Sequence, residues 1–300
     1  MSALATLSEL LPDARRHHRA VPGFDCVSDI YIRAILETAQ EERSPVILMA
    51  LGRDLAGRGI TYIAGLVHAV ASCYDIPIVL HLDHATDLPS VCRAIDHGFS
   101  SVMFDGSAMP YGQNVDLSGR VVQLARPHGV SVEAELGCVA GSDLGGQRCG
   151  QTVLTQPGEV VGFVKATGVD ALAVSIGTEH GVYAAAPQLD IERLRAIDAA
   201  SPVPLVLHGG SGTPESQVRA AILNGIAKFN VYADCRLALN AGFAEARERA
   251  QRRADELPDI VFQPLYEALS AQVRAKIRLA GSGAPAPCGL AAEGALPPHS

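Results

Sequence analysis

The sequence predicts an α/β fold, a (β/α)8 TIM barrel with an extra N-terminal helix and C-terminal helices. Three observations carry that expectation. Eight short runs of Val, Ile, Leu and Ala begin between positions 21 and 227, a mean unit of about 30 residues, the size of a βα repeat. The runs alternate with polar loops and apolar-periodic stretches of helical length. Residues suited to an active site follow many of the runs instead of gathering at one crevice, which favours a closed barrel over an open doubly wound sheet.

Taken in order, Met1–Arg19 reads as a helix closing the barrel bottom. Strands are expected at Val21–Asp25, Val46–Ala50, Ile78–Asp83, Ser101–Phe104, Ser131–Leu136, Ala171–Val174, Leu205–His208 and Ala227–Val231. Their apolar runs, bounded by Gly and Pro, suit parallel strands covered on both faces. Between them the helical pattern covers Ile30–Glu42, Tyr62–Tyr74, Leu88–His97, Val115–Arg126, Pro157–Lys165, Ile191–Ile197 and Pro214–Asn224. Asp190 and Thr213 are expected helix N-caps, the second with Pro214 at the first helical position. Arg236–Gln251 and Pro264–Ala280 add two helices. Residues 1–280 thus form one barrel domain, and 281–300, rich in Gly, Pro and Ala, a disordered tail. The glycine-rich segment Gly137–Thr152 is long for a βα loop and reads as a mobile lid.

Composition removes several classes of function. Hydrophobic residues make up 48% of the 300 and charged residues 19%, enough to bury a large core. Mean hydropathy is +0.18, yet no apolar run approaches the ~18–20 residues of a membrane span. The N-terminus lacks the basic-then-apolar layout of a signal peptide, so a cytoplasmic protein without a membrane partner is expected. Net charge is −8 with scattered basic residues, which argues against nucleic acid. The seven cysteines contain no CxxC pair and read as reduced thiols, not as a disulfide frame.

In such a barrel, chemistry collects at the C-terminal ends of the strands. Those ends carry HLDHATD (His81–Asp87), FDGS (Phe104–Ser107), EAELG (Glu133–Gly137), SIGTEHG (Ser175–Gly181), LHGGSG (Leu207–Gly212) and FNVYAD (Phe229–Asp234). His84, His180 and His208 therefore converge on one mouth although 96 and 28 positions separate them. Three neutral imidazoles with a fourth position open are the ligand set of a catalytic zinc. Any one of these histidines could be an ordinary hydrogen-bonded residue; three on one face, beside Asp83 and Glu135, favour a metal. His81, inside its strand, reads as packing or as support behind the ligands. Gly181 and the Gly209, Gly210 and Gly212 that surround Ser211 let backbone N–H groups approach an anion. A tight turn explains them equally well alone, whereas beside a metal they suggest a phosphorylated small molecule.

At these residues the sequence resembles the zinc-dependent class II fructose/tagatose-bisphosphate aldolases. The likeness runs from VPGFD at Val21 to about Ala280 and rests on LHLDHATD, GFSSVMFDGS, GVSVEAELG, TGVDALAVSIGTEHG, PLVLHGGSG and the K-x-N-V segment at Lys228–Val231. The resemblance implies that His84, His180 and His208 hold Zn2+, or another divalent metal, with Asp83 as acid/base. It also implies that Gly181, Gly209, Gly210, Ser211, Asn230, Val231, Tyr232 and Ala233 hold a ketone such as dihydroxyacetone phosphate. Asp105 and Glu135 match a second or displaced metal position. Asp143 stands where relatives carry a loop Glu that takes a proton from the ketone's α-carbon. The products or substrates would be a ketose phosphate or related ketone and an aldehyde, and the assembly a homodimer or homotetramer.

This chain departs from the family near the ligand. Asp25 replaces a usual Asn, Glu179 a small residue, and Tyr232 and Ala233 a small or acidic residue and a Thr. The two added carboxylates would repel a second phosphate, which favours a monophosphorylated or unphosphorylated substrate over a bisphosphate. A zinc-binding, non-catalytic subunit and a metal-dependent sugar isomerase are the competing readings. A Schiff-base mechanism has one candidate among the three lysines, Lys228, which strand alternation puts on the face of Asn230.

Overall fold

Eight parallel strands close on one another in the computed structural model, which describes residues 4–143, 146–147, 151–181, 186–250 and 258–283. They are β1 (Val21–Asp25), β2 (Val46–Leu51), β3 (Ile78–Ala85), β4 (Ser101–Phe104), β5 (Ser131–Leu136), β6 (Ala171–Val174), β7 (Leu205–Leu207) and β8 (Ile226–Val231). Each pairs with its neighbours in sequence, and β1 pairs with β8, with Val21 opposite Lys228. The fold is the expected (β/α)8 barrel. Outside it run α1 (Leu7–Arg16), α2 (Asp29–Glu41), α3 (Gly59–Val70), α4 (Leu88–Asp96), α5 (Tyr111–Ala125), α6 (Pro157–Thr167), α7 (Ile191–Ala200), α8 (Glu215–Leu223), α9 (Ala233–Ala250) and α10 (Pro258–Ala280). Among the described residues, no helix is long and apolar enough to cross a membrane.

Strand alternation sorts the side chains into two cores. The outward set, with Phe24, Leu48, Leu80 and Leu172, packs under the helices. The inward set at the barrel bottom, with Val21, Ile47, Val79, Met103 and Val206, meets Leu7 and Leu11 of α1. Helix α1 starts at a capping box: Thr6 Oγ1 accepts from Glu9 N, and the Glu9 carboxylate accepts from Thr6 N at 2.7 Å. Arg15 then fastens it, donating to the carbonyls of Asp198, Ser201 and Val203 at the end of α7. Higher in the barrel the inward positions turn polar: His81, Glu133, Lys228 and His208 are all buried.

Three expectations need correction, and the lid segment adds a pairing that the sequence did not show. Thr213 does not cap α8: Pro214 occupies the N-cap, and Thr213 Oγ1 donates to Gly209 O instead, which binds the helix start to the β7 loop. The tail does not loosen at Gly281, because Ser282 is buried and hydrogen-bonded to Ser44; residues 284–300 lie outside the described set. The expected lid contains a two-residue antiparallel pairing, Ser142–Asp143 against Gly146–Gln147. Finally, Cys138 is disulfide-bonded, its partner lying outside the described residues, whereas Cys26, Cys73, Cys92 and Cys235 are free.

Leu11 is fully buried in the plug beneath the barrel. Truncating it opens a cavity that α1, tied down at both ends, cannot collapse. Leu11→Ala is expected to lower stability by about 2–5 kcal/mol in denaturant unfolding.

Candidate metal centre

Asp83 and His84 are consecutive, so a regular strand would turn them to opposite faces. They both line the same pocket at the barrel mouth. The register between β3 and β4 shifts between Leu82 and Ala85, and His84 has φ +51°. This bulge adds a residue to β3 and re-aims the second side chain inward. The pocket is also lined by Met49, Leu51, His180, Gly181, Gly209, Ser211, Asn230, Tyr232 and Ala233. Nine of the residues expected at the site thus meet at one opening. His208, Gly210 and Val231 are buried outside that lining, Val231 in the outer core. Asp143 lies in the lid hairpin, its side chain outside the described set.

The three imidazoles converge as expected. Ring centroids of His84 and His208 are 4.4 Å apart, of His84 and His180 5.0 Å, and of His180 and His208 5.8 Å. One nitrogen from each lies within 4.8 Å of the others. His180 is held at the foot of the lid, where its backbone N–H donates to Ala140 O at 2.8 Å.

The hydrogen bonds around two of the rings test the fit of a cation. His84 Nδ1 is 2.8 Å from Asp105 Oδ2, and His208 Nε2 is 2.8 Å from Glu133 Oε1. Assigning tautomers from these contacts, as the network requires, puts the proton of each neutral ring on the carboxylate side. The remaining nitrogens, His84 Nε2 and His208 Nδ1, face each other across 2.7 Å. At that distance the two nitrogens share a proton, and both converge with a nitrogen of His180 on one point, which a small parting of the rings opens to an ion. The donor set therefore fits a divalent cation, and carboxylate–imidazole pairs are the usual support of such ligands. Glu135 Oε2 stands 3.9 Å from His84 Nδ1, so Asp105 and Glu135 gather at the far side of that ring and complete a second candidate cluster with it.

Asp83 sits beside this centre. Burial by itself raises its carboxyl, but the neighbouring His84, His208 and Lys228 outweigh burial and lower it below the ordinary carboxylate range, Lys228 being the one of the three that carries its charge when the rings are neutral. Asn230 Nδ2 donates to Asp83 Oδ1 at 3.2 Å, fixing one oxygen. Beneath, Glu133 is fully buried; burial opposes its charge, while Lys228 and His208 keep it ionised, well below the usual carboxylate range. His81 donates or accepts at Ser101 Oγ (2.8 Å) and is held mainly neutral by burial, its pKa near 3.

The glycine-rich loop after β7 packs closely against its neighbours. A Cβ on Gly209, whose φ is +67°, would lie 2.3 Å from Glu179 O. Ser211 Oγ accepts from Tyr232 N at 3.0 Å and Asp234 N at 3.3 Å, drawing the start of α9 against the β7 loop.

One expectation changes here, and one minor alternative is closed. Asp25 does not present a free charge to the ligand: it is buried, and Arg236 donates to its Oδ2 at 3.1 Å. Burial pushes its carboxyl up to about 7, Asp54 adding to the shift and Arg236 opposing it. Repulsion of a second phosphate by Asp25 is therefore no argument for substrate choice. Lys228 is no Schiff-base nucleophile either, since its amine is sealed in the barrel, 2.8 Å from Glu133 Oε2. Sequence reasoning also missed residues. Glu133 lies two positions from Glu135 on one strand face, and alternation could have found it. Arg53 and Arg236 had no such signal: they stack on Tyr232 from two elements, 5.4 Å and 4.9 Å from its ring centroid.

Comparison with known proteins follows the same lines. Residues 5–284 match the family model described as fructose-bisphosphate aldolase class-II. The 6-phospho-5-dehydro-2-deoxy-D-gluconate aldolase of Bacillus subtilis (strain 168) is 39% identical over 288 residues, covering 93% of this chain and 96% of that protein. A protein of the same name from Bacillus velezensis is equally similar, 39% over 288 residues with the same coverage. Among solved structures, the YdjI aldolase from Escherichia coli K12 superposes with a TM-score of 0.82 at 30% identity, covering 93% of this chain and 98% of that one.

The Asp25 carboxyl yields a stability prediction. Its folded pKa of about 7 lies above the ordinary 3.8, so the folded state holds the proton more tightly. Stability is then full below about pH 4 and falls as pH rises through 7. Asp25→Asn is expected to be more stable than the parent by roughly 2–4 kcal/mol at pH 8, with the gap closing toward pH 4, in paired denaturant melts.

Proposed function

Because the chain belongs to the class II fructose-bisphosphate aldolase family, we propose that it is a metal-dependent aldolase acting on a singly phosphorylated, carboxylate-bearing ketose. The observation that carries this is the three-imidazole cluster at one barrel mouth, with Asp83 beside it. The substrate class follows the name of the Bacillus relatives. That name describes a carboxylate at C1, a methylene at C2, a hydroxyl at C3, a ketone at C5 and a phosphate on C6. Retro-aldol cleavage between C3 and C4 yields dihydroxyacetone phosphate and a three-carbon aldehyde acid. One glycine–serine cradle opens on the described pocket, the rest of whose lining includes Met49, Leu51 and Tyr232, and this suits one phosphate. Arg53 and Arg236 stack on Tyr232 at the rim, each with a carboxylate beside it.

In this reading Asp83 takes the proton from the C3 hydroxyl as the C3–C4 bond breaks. Asn230 pins Asp83 Oδ1 and leaves Oδ2 for the transfer. The electron pair of the broken bond moves onto the ketone half as an enediolate. His84, His180 and His208 would hold the ion, zinc or another divalent metal, which supplies Lewis-acid stabilisation of the charge developing there. Asp105 and Glu135 orient His84 and offer the second or displaced position. Gly181, Gly209, Gly210, Ser211 and the Asn230–Ala233 backbone bind the ketone half, with the α9 N-terminus favouring its phosphate. Asp143, on the lid, returns the proton to C4. The same reading carries a cytoplasmic homodimer or homotetramer.

A retro-aldol assay of the zinc-loaded protein tests it, using mono- and bisphosphorylated ketoses and the keto acid phosphate. The keto acid phosphate is expected to be turned over at least tenfold more efficiently than fructose or tagatose 1,6-bisphosphate, with loss on chelation and recovery with zinc. Equal turnover of a bisphosphate overturns the substrate choice; silence across the panel with zinc bound favours a non-catalytic subunit. Asp83→Asn should lower kcat by roughly 10²–10⁴-fold. Asp143→Ala should abolish exchange of the ketone α-proton in D2O while leaving zinc content unchanged.

A further inference from the structure

Lys228 is the one lysine inside the barrel, fully buried on β8, and the proposed reaction gives it no task. It lies one layer below the candidate ligands. Its Nζ is 2.8 Å from Glu133 Oε2, on β5 across the barrel. The other oxygen of the same carboxylate, Oε1, is 2.8 Å from His208 Nε2. The opposite nitrogen of that ring, Nδ1, is the one aimed at His84 Nε2, 2.7 Å away. Amine, carboxylate and imidazole therefore form an unbroken chain ending at the metal pocket, with all three residues 0–1% exposed.

We propose that Lys228 is a positioning residue for the metal site, acting through Glu133 to fix the ring orientation and tautomer of His208; this rests on the metal-dependent reading above. A carboxylate can rotate, and with one oxygen free it could turn toward His81, whose Nε2 is 3.8 Å from Oε2 and has no hydrogen-bond partner. The ammonium removes that freedom. By holding Oε2, it leaves Oε1 pointing at His208, which can meet it only by presenting N–H at Nε2. Nδ1 is then left as a lone pair directed at the ion. An ammonium is well suited to this because it is a compact donor with no acceptor capacity. It also compensates the buried carboxylate, which an uncharged neighbour would not.

The test uses the full chain, zinc-loaded and labelled with 15N-histidine, and reads zinc affinity by competition with a chromophoric chelator together with the imidazole N–H spectrum. In the parent, His208 is expected to show a slowly exchanging Nε2–H signal. Lys228→Gln should lower zinc affinity by about 10–100-fold and move or broaden that signal. Lys228→Arg, which keeps the charge, should stay within about threefold of the parent. A folded Lys228→Gln protein with affinity within twofold of the parent and an unmoved His208 signal overturns the proposal. If Lys228→Gln does not fold, Glu133→Gln probes the same chain from its centre: a tenfold or greater loss of affinity supports it, and affinity within twofold overturns it. A parent without zinc affinity overturns the metal reading itself, an outcome separable from the others because no variant is needed to see it.

Discussion

Inside the barrel, one buried carboxylate answers two demands at once. Glu133 neutralises Lys228 and supports His208, each at 2.8 Å, in a layer with no access to water. Removing either neighbour would leave a charge or an acceptor stranded, the situation that makes buried polar networks costly when incomplete. Below this layer the interior is apolar and plugged by α1; above it the pocket opens. The network is thus the boundary between the part of the barrel that holds the fold together and the part that can do chemistry. Its geometry also decides which nitrogen of His208 faces that chemistry.

The second constraint is local to β3. A β-strand alternates its side chains, and two neighbouring residues cannot both face the barrel mouth without a break in register. The shift between Leu82 and Ala85, with His84 at φ +51°, is that break. Non-glycine residues are uncommon in this backbone region, and such strain persists where the surrounding structure fixes it. Here the contact of His84 Nδ1 with Asp105 at 2.8 Å does so. A proton acceptor and a metal ligand are consequently brought to one pocket by two consecutive residues.

At the rim, charge is arranged differently than the residue types suggest. Asp25, Arg236, Tyr232 and Arg53 form one stack that joins β1, the β2 loop, the end of β8 and α9. Within it Arg236 pairs with Asp25, and Arg53 has Asp54 3.8 Å away. The charges of the stack therefore balance one another, whereas the composition had pointed to added negative charge.

The sequence by itself determined the eight βα units, their right order, and the histidines and aspartate at the strand ends, because hydrophobic periodicity and position along a repeat are local properties. Seven of the eight strands start where the pattern places them. The resemblance to the aldolases likewise rested on residues readable in line. What it left undecided depends on distances across the barrel. Whether Lys228 is a nucleophile or a sealed counter-ion, whether Asp25 is free or paired, and which nitrogen of His208 is available are settled only when β8 comes to lie opposite β5 and α9 beside β1. Those contacts join residues 95 and 211 positions apart. Burial and pairing, which set the charge and reach of these groups, are properties of that packing and have no local signature.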